Sequence, residues 1–197
     1  MSCNAHLSDD ELMAAFVVGD AAAMETLFLR YRRGVYSWLL RMTNDASEAE
    51  DVYQDVWGRI IRRAGDYRPG NFKAWLWRIV RNAATDRSRK MSPLLVLDAP
   101  VDVGDECGQT VLEQLCDESA ADALRRIEAQ ERKSMVRNAI DALPPAQKEI
   151  VLLRINGELS FKEIAESLTL PMGTVLARMH HAVKGLKESL LKKGVLQ

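Results

Sequence analysis

The chain has 197 residues, 47% of them hydrophobic, enough for two small domains or one larger one with packed cores. Its 27 lysines and arginines are offset by 28 aspartates and glutamates, giving a net charge of −1. That balance excludes a uniformly basic nucleic-acid coat, so any affinity for DNA must come from local patches.

No apolar run is long enough to span a bilayer, and the opening MSCNAHLSDDELM lacks a signal-peptide pattern. A soluble cytoplasmic protein without membrane insertion is expected. Cys3, Cys107 and Cys116 have no paired spacing, unlike a disulfide framework. Cys3 and His6 offer two ligands at a terminus where structural zinc takes four, so no metal and no cofactor are expected.

In chain order, Ser8, Asp9, Asp10 and Glu11 make a capping-box start and predict a short helix ending at Gly19. Asp20 caps a long second helix, in which Met24, Leu27, Phe28, Tyr31, Val35, Trp38, Leu39 and Met42 recur at helical spacing until Asn44 and Asp45. Ser47 with Glu50 repeats the capping-box pattern and opens a third helix to about Arg63. On that helix Val52, Val56 and Ile60 form the buried side, while Asp51, Gln54 and Asp55 share one turn of the other. With no histidine nearby, two readings are open for that turn: a solvated acidic face, or a polar docking face for a basic partner.

The loop GDYRPGN precedes a fourth helix, Asn71 to Lys90. Phe72, Trp75, Leu76, Ile79 and Ala83 form its core-facing stripe. Trp77 and Arg81 fall opposite, with Arg78 flanking and Arg87, Arg89 and Lys90 following. An outward tryptophan among cations suits base stacking beside phosphates, where each stacked base is worth about 1–3 kcal/mol. An aromatic packed on a neighbour above a solvated cationic face is the other reading.

From Met91 to Ala120, Pro93 and Pro100 obstruct helix and seven acids stand without a lysine or arginine, which predicts an acidic linker. A second helical domain starts near Ala121, with one long helix stopped by Pro144 and another opened by Pro145 and ended by Gly157. Ser160 with Glu163 starts the short helix FKEIAESL, and Thr169, Leu170 and Pro171 turn the chain into a last helix from Met172 to Leu191. The segment Ser160 to Lys187 has a helix-turn-helix layout. Val175, Met179, Ala182 and Leu186 form its inner stripe; Thr174, Ala177, Arg178 and His181 face outward, as on a recognition helix. No stretch alternates with period two, so the expected class is all-α, two small helical domains joined by an acidic linker.

Taken together, AEDVYQDVW (49–57), FKAWLWRIVRNAATDRSR (72–89), LPPAQKEIVLL (143–153) and SFKEIAESLTLPMGTVLARMHHA (160–182) resemble the extracytoplasmic-function (ECF) group of RNA polymerase sigma factors in the sigma-70 family. The resemblance implies a specificity subunit with no catalytic residues of its own, binding the polymerase core and promoter DNA and subject to an anti-sigma factor. It implies three segments: 1–90 for core docking and −10 recognition, a linker 91–120 threading toward the polymerase channels, and 121–197 for −35 recognition. Asp51, Gln54 and Asp55 match the surface for the clamp helices of the β′ subunit. The loop before Phe72 and the helix after it match the −10 reader, with Tyr67, Asn71, Lys73, Trp77, Arg78, Arg81 and Arg87 as candidates. The helix-turn-helix matches the −35 reader that packs on the β flap, with Ser160, Thr174, Ala177, Arg178, His181 and Lys184 as candidates.

One departure is informative. Leu176, Ala177, His181 and Val183 stand where the family often has Lys, Ser, Arg and Arg. Fewer cations release fewer counterions, so weak −35 affinity with a shallow salt slope is expected. A repressor using the same last helix and a protein-only helical adaptor remain rivals at this point. An enzyme is the weakest rival, because no nucleophile–base or metal constellation is present.

Overall fold

The computed structural model describes residues 6–91 and 120–192. Cys3 and the interior of the expected linker, including Leu94–Leu97 and Val111–Leu115, lie outside them. Among the described residues the chain is all-α, with no strand. The helices are α1 (Asp9–Val17), α2 (Ala21–Thr43), α3 (Ala46–Arg63), α4 (Phe72–Met91), α5 (Ala120–Asp141), α6 (Pro145–Ile155), α7 (Phe161–Leu168) and α8 (Met172–Lys192), with a 3-10 turn at Ala64–Asp66. No described helix is long and apolar enough to cross a membrane.

The helix starts have local causes. At α1 the Glu11 amide donates to Ser8 Oγ at 3.3 Å while the Ser8 amide donates to the Glu11 carboxylate at 2.7 Å. Ser160 and Glu163 repeat the same reciprocal pair at α7 with the same two distances. Asp20 caps α2 by accepting from the Ala22 amide at 3.0 Å. The start of α3 differs from expectation. Asp45, not Ser47, is its cap and accepts from the Glu48 amide at 2.7 Å. Asn44 ends α2 in the left-handed conformation at φ 55°, which leaves Asp45 extended and already facing the next helix. Ser47 then falls inside the first turn.

Both capping-box glutamates titrate below the ordinary 4.5. For Glu11 the Ser8 hydrogen bonds are the cause. For Glu163 burial pushes upward, but the Ser160 bonds, with Lys73 and Asn71 beside them, prevail. A carboxyl depressed on folding stabilises the fold above its unfolded value, and that contribution is lost as pH falls through the folded one. Thermal melts are therefore expected to drop progressively below pH 4.5, and Glu163→Gln should flatten part of that acid limb.

The chain divides into two compact units, Met1–Val101 with Leu152–Val175, and Asp102–Val151 with Leu176–Gln197. In the first, α2 packs on α1 and α3, and α4 packs on α2, α3 and α7. Leu12, Met13, Leu27, Val35, Trp38, Leu39, Val56, Ile60 and Leu76 are buried there, together with Leu152, Leu153, Leu159 and Ile164. In the second unit the buried side chains include Ala139, Ile140, Ile150, Val151 and Ala182, and Lys148 pairs with Asp141 at 3.0 Å.

The arrangement around α4 overturns one expectation. Phe72, Leu76, Ile79 and Ala83 are buried as the stripe requires, but so are Ala74, Trp77 and Val80. Trp77 is 1% exposed, edge-on to Trp38 at 5.9 Å between ring centroids, so it is not on an outward face. Three neighbours, α2, α3 and α7, cover α4 beyond its first stripe and leave Arg78 and Asn82 exposed. Trp75, expected inside, is instead half-buried beside the loop that precedes α4.

Candidate nucleic-acid interface

The loop between the 3-10 turn and α4 is built by side chains from three places. Asn71 caps α4, its Oδ1 accepting from the Ala74 amide at 3.0 Å. Its other end donates from Nδ2 to Glu166 of α7 at 3.3 Å. Tyr67 places its ring against Trp75 at 5.1 Å and Phe72 at 5.8 Å, and its hydroxyl donates to the Asp10 carboxylate. Burial and that carboxylate push the Tyr67 phenol above the usual tyrosine range, so it is a hydrogen-bond donor at any physiological pH. Lys73, two residues after Asn71, donates from Nζ to the Glu158 carbonyl at 3.4 Å. Tyr67, Asn71 and Lys73 are thus brought to one end of α4, along with the half-buried Trp75.

The remaining α4 candidates spread along the helix. Arg78 is exposed and Arg81 is half-buried. Arg87 donates to Asp51 of α3 at 3.0 Å, joining a candidate DNA contact to a candidate polymerase contact. Asp55 pairs with Arg59 at 2.8 Å and lies 3.8 Å from Arg62, and Arg59 also holds Asp86 at 3.0 Å. The Asp86 and Asp55 hydrogen bonds raise the Arg59 pKa further above neutrality. Gln54 donates to Glu50 at 3.3 Å. Asp51, Gln54 and Asp55 all remain exposed on one face of α3. This face is a lattice of exchangeable ion pairs, and exposed pairs of this kind are each worth about 0–1 kcal/mol, so a partner can replace them at little cost.

In the helix-turn-helix, Thr169 adopts the left-handed conformation at φ 55°, and the Leu170 amide donates to the Ala165 carbonyl at 3.0 Å. The amides of Thr174 and Val175 donate to the Pro171 carbonyl and start α8. Ser160 caps α7, whereas Thr174, Ala177, Arg178, His181 and Lys184 are on α8. Val175 and Ala182 are fully buried; Met179 and Leu186, expected on the same stripe, are half-buried. Ala177, His181 and Lys184 are exposed, with Thr174 and Arg178 intermediate. Met172, Leu176 and Val183 are exposed as well, at 43%, 45% and 55%, so apolar groups share the outer side of α8 with few cations.

Sequence reasoning missed Asp10 and the acceptors Glu158 and Glu166. Each meets α4 or its loop from a distant part of the chain, and no local pattern marks such a pairing. It passed over Gly34 and read Gly157 only as a helix end, although a β-carbon would lie 2.4 Å from the Asn156 carbonyl at the first and 2.8 Å from Trp77 at the second. Among the described residues, no group of three histidine, cysteine, aspartate or glutamate side chains is placed to hold a metal ion.

Comparison with known proteins agrees with this layout. The sigma-70 region 2 family model matches residues 27–92, and the sigma-70 region 4 model matches 133–186. The ECF RNA polymerase sigma factor SigW of Bacillus subtilis is 31% identical over 175 residues, covering 87% of this chain and 91% of SigW. The fold is similar to that of CnrH, solved in complex with the cytosolic domain of CnrY, at a TM-score of 0.63 and 23% identity over 92% of this chain and 96% of CnrH. It is also similar to that of the sigma factor RpoE of Bartonella quintana, solved with the anti-sigma factor NepR, at a TM-score of 0.58 and 18% identity over 84% and 95% of the two chains. With both sigma regions in order and a relative of this identity matched over nearly its whole length, the chain belongs to the ECF RNA polymerase sigma factors of the sigma-70 family.

Proposed function

We propose that this chain binds core RNA polymerase and directs promoter-specific initiation, reading the −35 and −10 elements and promoting DNA melting. The observation that carries the reading is the order of the two sigma regions at 27–92 and 133–186. Segment 1–90 docks on the core through Asp51, Gln54 and Asp55. Its loop and α4 take the opened −10 strand, with Tyr67 and Asn71 at the base and Lys73, Arg78, Arg81 and Arg87 toward phosphates. Trp77 has no part in this, being interior. Segment 121–197 meets duplex −35 DNA through Ser160, Thr174, Ala177, Arg178, His181 and Lys184, and residues 91–120 join the two. The chain works in the cytoplasm, carries out no catalysis and needs no cofactor. An anti-sigma factor is its natural regulator, as NepR is the anti-sigma partner in the Bartonella complex.

In vitro transcription with core polymerase and a promoter library tests the function: sigma-dependent transcripts from a defined promoter class support it, and none from any template refutes it. Asp51→Arg tests the docking face. Asp51 is 57% exposed and pairs with the half-exposed Arg87, so the fold should persist. Reversing a charge at a docking face should weaken core binding by at least about tenfold. A fluorescence titration with labelled core reads this; undiminished holoenzyme formation removes the role from Asp51.

A further inference from the structure

The loop from Tyr67 to Gly70 is held by one carboxylate from the far end of its unit. Asp10 stands in the first turn of α1, 57 and 60 residues away from its two partners. One of its oxygens accepts from the Tyr67 hydroxyl, and the other accepts from the Gly70 amide at 3.0 Å. A single rigid group therefore fixes a side chain at one end of the loop and the backbone at the other. Gly70 sits at φ 151°, a conformation that favours glycine, so the backbone that offers this amide is itself unusual.

Asp10 is anchored in turn. Its neighbour Asp9 accepts from Tyr31 and pairs with Arg30, which fastens α1 to α2, and Leu12 and Met13 on the inner side of α1 are fully buried. With its hydroxyl tied to that base and its ring edge-on to Trp75 and Phe72, Tyr67 keeps one orientation. A recognition site must be held to within about 0.5 Å to discriminate between ligands, and groups locked by such supporting bonds are what hold it.

We infer that Asp10 is a positioning residue for promoter reading, holding Tyr67 and the Gly70 backbone in the geometry that receives an unpaired −10 base. The inference rests on the proposed role of this loop and goes beyond it, because Asp10 itself touches no DNA. A loop that samples its competent shape only part of the time binds more weakly by that fraction.

The test uses the full chain assembled with core polymerase on promoters carrying each of the four bases at each −10 position, with open-complex formation as the signal. Asp10→Asn keeps the shape but removes the charge and turns one of the two acceptor oxygens into an NH2 donor, so the Tyr67 hydroxyl and the Gly70 amide can no longer both donate to it. Opening of the preferred template should fall about tenfold, the scale of a charge-assisted hydrogen bond. The poorer templates should change less, so discrimination narrows while core binding stays intact. Tyr67→Phe removes the same bond without touching α1, and the double variant should be no worse than the more damaging single one. If Asp10→Asn and Tyr67→Phe lower thermal stability but keep the parent's base preference, Asp10 is structural only and the inference falls. Tyr67→Ala separates the two failures. If it too leaves base preference unchanged, the loop is not the reader; if it abolishes the preference where the other two do not, only the role of Asp10 is lost.

Discussion

Truncating Trp77 to alanine is expected to lower unfolding stability by about 3–5 kcal/mol, the range for removing a buried large aromatic. The residue is 1% exposed and lies edge-on to Trp38, so the truncation opens a cavity in the middle of its unit. Trp77→Phe should cost far less. It keeps most of the apolar volume and deletes an indole N–H that is buried without a hydrogen-bond partner among the described residues. Urea unfolding of the three proteins, followed by far-ultraviolet circular dichroism, measures the difference. Parent-like stability for Trp77→Ala, joined to a selective loss of promoter opening, would instead return Trp77 to the DNA-facing surface.

The second large effect is expected at Gly157, against the same side chain. A β-carbon there would lie 2.5 Å from Leu159 Cδ1, 2.7 Å from the Leu153 carbonyl oxygen and 2.8 Å from Trp77 Cε2. Leu159 can shift, but a carbonyl that belongs to the end of α6 and an indole that is 1% exposed cannot shift cheaply. Gly157→Ala should therefore cost about 3 kcal/mol, the upper end for overpacking a filled core. Gly157 does not have positive φ, so the loss would be steric and not conformational. Two controls isolate that cause. Gly173, in the first turn of α8, has open space around it, and its alanine variant should match or slightly exceed the parent. Combining Gly157→Ala with Trp77→Ala should cost less than the two separately, because the shortened side chain leaves room for the methyl group. Strict additivity in the unfolding midpoints would mean that Gly157 and Trp77 do not meet.

The helix order, the capping boxes at Ser8 and Ser160, and the helix-turn-helix were legible because each is set within a few residues. Hydroxyl, carboxylate and backbone amide meet wherever the spacing allows, whatever surrounds them. Asp45 shows the limit of that reasoning. The sequence pattern marks it as a helix break and Ser47 as the cap, but the backbone conformation of Asn44 puts Asp45 in the capping position. Trp77 was misread for a different reason. A helical projection divides α4 into one inner and one outer side, yet the second covering surface comes from residues 152–175, some eighty positions further on. The same distance hid Glu166 from Asn71 and Glu158 from Lys73. For the site, residue types were readable and their partners were not. Asp51 and Arg87 were each picked out, but their ion pair depends on how α3 lies along α4.

Those distant partners change the terms on which the loop can take a ligand. The Asn71 amide and the Lys73 ammonium already donate to oxygens of their own chain, at Glu166 and at the Glu158 carbonyl. A nucleic-acid strand taken up there, as proposed for the −10 element, would not add its contacts to an empty surface; it would exchange its oxygens for ones already in place. The net gain is the difference between two similar hydrogen bonds, plus the release of a carboxylate that repels phosphate. Such an exchange filters strands by strength. A strand offering only backbone charge gains little over the internal arrangement, whereas one that also supplies a well-fitted base displaces it. Selectivity of this kind comes from what the strand must outcompete as much as from what it touches.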